Sequence, residues 1–175
     1  VSVASVPYSE YLKDGIAYIR LRSFTRNCAN DLKAAITDLK KEDDLKGLIL
    51  DLRSNPGGLL NESVDIVNLF VQKGEEVVST KGKIKSWDKL YIANKTPLDI
   101  EVPLVVLINS SSASASEIVS GAIQDLDRGV VIGQRSYGKG LVQQTRKLSY
   151  NSQLKLTVAK YYIPSGRCIQ ALDYS

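Results

Sequence analysis

The chain has 175 residues, of which 43% are hydrophobic and 24% are charged, a composition typical of a folded globular protein. Its formal net charge is +4, but the basic residues are scattered, which argues against nucleic-acid binding. No apolar run reaches the roughly 18 residues that a membrane-spanning helix needs, so we expect no stable membrane span. A chain of this length can bury one core, and we expect residues 1–175 to form a single domain.

Apolar runs that predict strands alternate with helical periodicities along the chain. In chain order, the predicted elements are a strand at 16–21, a helix at 30–41, a strand at 47–52, a helix at 61–72, strands at 76–80 and 103–108, a helix at 114–126, and strands at 130–133 and 154–163. The polar segment 81–99 predicts a loop or hairpin, and a glycine-rich turn follows 130–133. This order predicts an α/β fold with a largely parallel central sheet and flanking helices.

Histidine is absent from the sequence. A Ser-His-Asp triad or a Cys-His dyad therefore cannot be built within these residues, and nucleophilic catalysis would need another base, for which lysine is the obvious candidate. A zinc site would have only Cys28, Cys168 and carboxylates as ligands, which makes metal binding a poor interpretation. The two cysteines lie far apart in the chain, and we expect two separate thiols rather than a disulfide.

Three predicted strands end in segments that could build a site, because ligands collect at the carboxyl ends of parallel strands. The first segment, 51–58, reads DLRSNPGG. Its glycines allow positive φ and can turn backbone N–H groups toward a bound atom, so an oxyanion hole is one interpretation. An ordinary strand-to-helix turn is the other, since Pro-Gly is common in such turns.

The second segment, 109–117, reads NSSSASASE and places Ser114 where a helix is predicted to begin. A hydroxyl at a helix N-terminus is well placed to develop negative charge, as a nucleophile must. Serine is also a preferred helix cap, and Ser114 with Glu117 fits the capping box S-x-x-E. The pattern by itself leaves both roles open.

The third segment, 133–143, reads GQRSYGKGLVQ and places Lys139 between two glycines. The glycines could bring the lysine close to other elements, or the lysine could lie in a solvated turn. A phosphate-binding P-loop is disfavoured because Gly140 stands where Ser or Thr should hold Mg²⁺. An S-x-x-K pair of Ser136 and Lys139 is disfavoured because that motif needs a helix, which the glycines oppose.

Four segments, in the right order, resemble the signature blocks of the C-terminal processing (tail-specific) serine peptidases: 51–58, 112–125, 133–143 and 157–170. The similarity runs over nearly the whole chain. It implies that Ser114 is the nucleophile, Lys139 its general base and Gln143 an assisting residue. It also implies an oxyanion hole formed by the N–H groups of Gly58 and Ala115, and a crotonase-like or ClpP-like α/β core. A lysine general base needs packed apolar neighbours that favour its neutral form, and we expect such neighbours around Lys139.

The resemblance further implies a serine endopeptidase that forms an acyl-enzyme and cuts protein substrates, bound in extended form, near their C-termini. It implies no metal or organic cofactor and an extracytoplasmic location, in the bacterial periplasm or cell envelope or in a plastid lumen. Members of the family carry a PDZ domain ahead of this core and continue beyond it. We therefore expect 1–175 to be the peptidase core without either part. The alternative is a non-catalytic peptide-binding core fragment that is inactive without them.

Overall fold

The structure is a computed structural model that describes residues 4–172. Two sheets and three α-helices account for most of it. The elements are β1 (Tyr8–Tyr11), β2 (Ile16–Arg20), α1 (Cys28–Glu42), β3 (Gly47–Asp51), α2 (Leu60–Asn68), β4 (Glu76–Gly82), a 3₁₀ turn (Lys85–Trp87), β5 (Lys89–Ile92), β6 (Leu104–Ile108), α3 (Ala115–Asp125), β7 (Val130–Gly133), β8 (Leu141–Lys147) and β9 (Gln153–Tyr162).

Five strands form the first sheet, in the order β1-β2-β3-β6-β7. β2, β3, β6 and β7 run parallel, and β1 lies antiparallel at one edge. The central strand β3 reads GLILD and is buried at almost every position, as expected of a parallel strand covered on both faces. The predicted α/β fold with a largely parallel sheet is therefore confirmed. The sequence pattern does not predict β1, because its residues (YSEY) are mostly exposed and show no apolar alternation.

Each helix is held by an apolar stripe that it buries in the core. In α1 this stripe includes Leu32, Ile36 and Leu39, which recur at helical spacing and are at most 4% exposed. Full burial of such a side chain contributes roughly 1.5–3 kcal/mol, far more than the differences in helix propensity between residues. Packing against the sheet and α2 therefore stabilises α1 more than its local sequence does.

The second helix is shorter than predicted. α2 ends at Asn68 rather than at residue 72. The N–H groups of Leu69 and Phe70 bond to carbonyl groups three residues back, which tightens the chain into a turn at this point. The apolar periodicity continues through this turn, and the sequence pattern therefore does not show where the helix stops.

The second sheet has four antiparallel strands, in the order β5-β4-β9-β8. The segment 81–99, predicted as a loop or hairpin, contains the end of β4, the 3₁₀ turn and β5, and it is the hairpin alternative that the structure shows, because β4 and β5 pair antiparallel. The glycine-rich turn after β7 likewise leads into β8. The residues of β8 (LVQQTRK) are mostly exposed, so pairing with β9 specifies this strand rather than an alternation visible in the sequence.

The parallel sheet brings the three candidate segments to one edge. β3, β6 and β7 are adjacent and parallel, so their carboxyl ends, and the segments that follow Asp51, Ile108 and Gly133, lie side by side. The predicted meeting of these segments therefore follows directly from the strand order. Among residues 4–172, no helix combines the length and the apolar character needed to cross a membrane.

Both cysteines are free thiols, as predicted from the sequence. Cys28 is buried at the start of α1, and Cys168 is exposed. Glu62, on α2, accepts hydrogen bonds from the N–H groups of Asn27 (2.8 Å) and Ala29 (3.0 Å) at this helix start. Burial and the neighbouring Glu62 carboxylate raise the pKa of the Cys28 thiol to about 12.

The thiols should therefore differ in reactivity. In the folded protein, iodoacetamide at mildly alkaline pH should alkylate Cys168 and leave Cys28 unmodified, because only the thiolate reacts and Cys28 is both buried and held protonated. Peptide mass spectrometry measures the two rates. In denaturant both should react, and Cys168→Ser should take up no label while folded. Equal labelling of both thiols in the native protein would contradict the packing described for α1.

Candidate active site

Ser114 occupies a strained turn between β6 and α3. Its backbone has φ 55° and ψ −111°, a conformation that residues other than glycine rarely adopt and that costs on the order of 1–3 kcal/mol. The residue is half-buried, and α3 begins directly after it at Ala115. The surrounding structure must hold this turn in place, and such enforced strain is typical of functional sites.

The segment that follows β3 supplies part of that support through Asn55, which is fully buried. Its backbone carbonyl accepts bonds from the Ala113 N–H (3.0 Å) and the Ser116 hydroxyl (2.9 Å), on either side of Ser114. Its side-chain amide donates to the carbonyl of Leu21 (2.9 Å) and accepts from the Gly57 N–H (2.9 Å). Asn55 therefore ties the serine turn to the glycine turn and to the end of β2.

The two glycines after β3 lie against the serine turn. Gly57 has φ 95°, and a β-carbon at this position would lie 2.9 Å from both Ser114 Cβ and Ala115 N. The next residue, Gly58, is exposed. Among the described residues, the N–H groups of Gly58 and Ala115 donate to no protein acceptor. Ala115 directly follows Ser114, and Gly58 follows the glycine that contacts Ser114, so both open N–H groups belong to the two turns predicted to form an oxyanion hole.

A buried carboxylate connects Ser114 to the loop that carries Lys139. Glu117 is 5% exposed, and its Oε2 accepts hydrogen bonds from the backbone N–H of Ser114 (2.7 Å) and of Lys139 (2.9 Å). Its Oε1 accepts a third from the Gly138 N–H (2.5 Å). The capping interaction expected between Glu117 and Ser114 is therefore present, and the same carboxylate also positions Lys139. The S-x-x-E pattern signals only the capping part, because the partner loop lies elsewhere in the chain.

Further contacts fix the lysine loop on both sides. The Tyr137 N–H donates to the Ser112 carbonyl (3.0 Å), and the Gly140 N–H donates to Gln170 Oε1 (3.0 Å). Residues 134–140 form no helix, and a strand follows them. The S-x-x-K and P-loop interpretations, which both need a helix here, are therefore excluded.

A cavity of about 450 Å³ opens beside the serine turn. Lys139 and Gln143 line it together, and the full lining is Pro56, Ser111, Ala113, Tyr137, Gly138, Lys139, Leu141, Gln143 and Gln170. Both Lys139 and Gln143 are exposed. Within residues 4–172, no hydrogen bond joins the Ser114 hydroxyl to the Lys139 ammonium. Residues 4–172 therefore do not provide the apolar packing that was expected around Lys139.

An ion pair secures the start of the first segment. Asp51 is 1% exposed and accepts hydrogen bonds from the Arg53 guanidinium (3.0 and 2.8 Å) and from the Tyr18 hydroxyl (2.5 Å). Burial raises the pKa of the Asp51 carboxyl, but the bonds from Arg53 and Tyr18 outweigh it, and the pKa lies below its ordinary value.

The described residues contain no group of three or more His, Cys, Asp or Glu side chains that could hold a metal ion.

Replacement of Gly57 by alanine tests the contact between the two turns. The new methyl group would meet Ser114 and Ala115 in a backbone conformation that already disfavours alanine, so we expect a loss of about 2–4 kcal/mol in unfolding free energy. Gly74→Ala is the matched control, because Gly74 also has positive φ (104°) but has nothing within 4 Å of a β-carbon. Urea denaturation measures both variants. Equal losses would show that the contact with Ser114 is unimportant.

Comparison with known proteins identifies the family of the chain. The model of peptidase family S41 matches residues 15–173. A carboxy-terminal-processing protease of Bartonella bacilliformis is 45% identical over 98% of this chain and 40% of its own length. A chloroplastic C-terminal processing peptidase of Tetradesmus obliquus is 36% identical over 100% of this chain and 37% of its own length.

A solved photosystem II D1 C-terminal processing protease superposes with a TM-score of 0.81 at 37% identity, covering 89% of this chain and 39% of that one. The chain thus spans about two fifths of the length of these relatives. Since the family model covers most of the sequence and the relatives match nearly all of it, the resemblance noted in the sequence is confirmed, and the chain belongs to peptidase family S41.

Proposed function

We propose that residues 1–175 are the catalytic core of a serine endopeptidase that cuts polypeptides near their C-termini through a Ser–Lys dyad. Ser114 is the nucleophile and Lys139 the general base, and Gln143 holds the lysine from the same cavity. The single observation that carries this proposal is the Glu117 carboxylate, which binds the backbone N–H groups of both Ser114 and Lys139. A lysine loop tied in this way to a strained serine fits a two-residue catalytic unit.

The chemistry follows from these positions. Neutral Lys139 takes the proton from the Ser114 hydroxyl as its oxygen bonds to the scissile carbonyl carbon. The N–H groups of Gly58 and Ala115 bind the oxyanion, helped by the N-terminal dipole of α3. The carbon–nitrogen bond then breaks, and the leaving amine takes the proton from Lys139. Water, activated by the same lysine, hydrolyses the acyl-enzyme and restores Ser114.

Substrate binding supplies the desolvation that the free cavity lacks. Lys139 is exposed in the structure, and its charged form is well solvated there. A peptide that fills the cavity beside Leu141 and Tyr137 would exclude water from the lysine and favour its neutral form. We expect the polypeptide to bind in extended form along the free edge of β8, which is the outermost strand of its sheet.

The resemblance supports three finer assignments within this proposal. They are a crotonase-like or ClpP-like core, an extracytoplasmic location in the periplasm or cell envelope, and activity that needs no metal or organic cofactor. The matched relatives are more than twice as long as this chain, so its activity in isolation is part of the proposal.

An activity-based probe tests the dyad. A fluorophosphonate should modify Ser114 alone, as seen by mass spectrometry of the digested protein. Ser114→Ala should abolish labelling, whereas the exposed neighbour Ser110 should be replaceable by alanine without effect. Lys139→Ala should slow labelling by about 10²-fold or more, and Lys147→Ala should not. The labelling rate should rise with pH as a lysine base loses its proton. Unlabelled protein that still binds peptides would favour the non-catalytic alternative.

Glu117→Gln tests the positioning carboxylate. The amide retains one acceptor oxygen for three N–H groups, so at least one buried donor loses its partner at a cost of about 1–3 kcal/mol in stability. A displacement of the lysine loop should lower kcat by about 10²-fold with a smaller change in KM.

Glu62→Gln is the matched control, because Glu62 also accepts three hydrogen bonds, two from backbone N–H groups and one from the Cys28 thiol, but contacts the start of α1 instead. It should lose comparable stability and retain activity. Equal activities in the two variants would remove Glu117 from the proposed mechanism.

A further inference from the structure

The basic residues are scattered along the chain, but in its last quarter no acidic residues balance them. Residues 128–172 contain no aspartate or glutamate. Their basic residues are Arg128, Arg135, Lys139, Arg146, Lys147, Lys155, Lys160 and Arg167. The acidic residues thus lie almost entirely before position 128, and the modest net charge of +4 conceals a strongly basic region.

One residue of this region, Lys160, lies with three lysines from an earlier segment around a second cavity. The lysine cavity, of about 380 Å³, lies between the end of β4 and the middle of β9. It is lined by Lys81, Gly82, Lys83, Lys85, Thr157, Val158, Ala159, Lys160 and Tyr162. Four of these residues are lysines and none is acidic. A carboxylate or similar anion that entered the cavity would meet positive charge from both strands and from the adjoining loop.

The lysines are poorly neutralised by the protein. Lys81 and Lys160 are directly opposite each other in the β4–β9 register, an arrangement of like charges that destabilises a sheet. Within residues 4–172, Lys81, Lys83 and Lys160 form no ion pair, while Lys85 has only a long contact with Asp88 (3.7 Å). The Lys81 ammonium lies 5.3 Å from the centre of the Tyr162 ring. The Asp88 carboxylate, which accepts a hydrogen bond from the Gly82 N–H (2.8 Å), offsets only part of this positive charge, and an anionic ligand would relieve the repulsion further.

The lysine cavity and the candidate active site share one face of the second sheet. Leu141, which lines the active-site cavity, pairs with Lys160, and Lys160 pairs in turn with Lys81. Directly opposed side chains in neighbouring strands point to the same face. Two strand spacings separate Leu141 from Lys81, a distance of about 10 Å that three extended residues span.

We propose that the lysine cavity is an exosite for aspartate or glutamate side chains of the polypeptide substrate, a few residues away from the bond that is cut. The inference rests on the proposed peptidase function. A polypeptide is favoured over a lipid surface because the charged site has the size of a few side chains and lies on the same face as the cavity that holds Lys139. Acidic substrate segments are thereby retained by the core while Ser114 acts on the adjoining residues.

Peptide binding tests the exosite without catalysis. Fluorescent peptides that share one cleavable sequence and differ only in a flanking run of Glu or Gln are titrated into Ser114→Ala protein, with anisotropy as the readout. The Glu peptide should bind about tenfold more tightly, and high salt should remove the difference.

Lys83→Glu with Lys85→Glu should abolish the preference for the Glu peptide. Lys13→Glu with Lys33→Glu changes the net charge equally at exposed sites elsewhere and should leave the preference intact. Loss of the preference in both double variants would show a general charge effect and overturn the exosite.

Cleavage by the unsubstituted protein separates this inference from the proposed function. We expect the Glu peptide to show a lower KM than the Gln peptide at a similar kcat. Cleavage of both peptides with equal KM and equal affinity overturns the exosite and retains the peptidase. Selective binding without any cleavage retains the exosite and overturns the peptidase. Vesicles of phosphatidylglycerol that bind through Lys83 and Lys85, without selective peptide binding, would make the surface a membrane contact and overturn the proposal.

Discussion

The carboxylate of Glu117 is the interaction on which the rest of the candidate site depends. Burying a charge is costly unless it is well bonded, and here three backbone N–H groups bind it at the N-terminus of α3, where the helix dipole also favours negative charge. Because Oε2 is shared by the N–H groups of Ser114 and Lys139, the serine turn and the lysine loop cannot move independently. The sequence provides no histidine, and this arrangement holds the backbone of Lys139 close to that of Ser114.

The parallel sheet makes that shared carboxylate possible. β3, β6 and β7 are neighbours, and the three loops after them converge at one edge. Asn55 and Gly57 then lock the first loop against the second, and they hold Ser114 at a positive φ that it would not adopt alone. The strain in the serine turn is thus sustained by contacts from a different strand end. In the same two turns, the N–H groups of Gly58 and Ala115 donate to no acceptor among the described residues.

The antiparallel sheet carries a different part of the molecule's chemistry. Its strand β8 lines the active-site cavity through Leu141 and Gln143, while β4 and β9 form the lysine cavity on the same face. Its edge strand β8 is exposed and mostly polar, so pairing with β9 rather than burial stabilises it. Exposure of Lys139 in this core fits a site that is completed when a polypeptide covers it. Substrate recognition and desolvation of the base would then be two consequences of the same binding event.

The sequence by itself determined the parallel sheet, the three strand ends and the absence of a histidine base for any nucleophile within these residues. Those features depend on local periodicity, on glycine positions and on the absence of histidine, all of which can be read along the chain. Only the tertiary structure decided that Glu117 bonds to the loop of Lys139, that Gly57 packs against Ser114, and that Lys81 faces Lys160. These contacts join residues that are distant in sequence, and their partners are set by strand order and register, for which local spacing carries no signal.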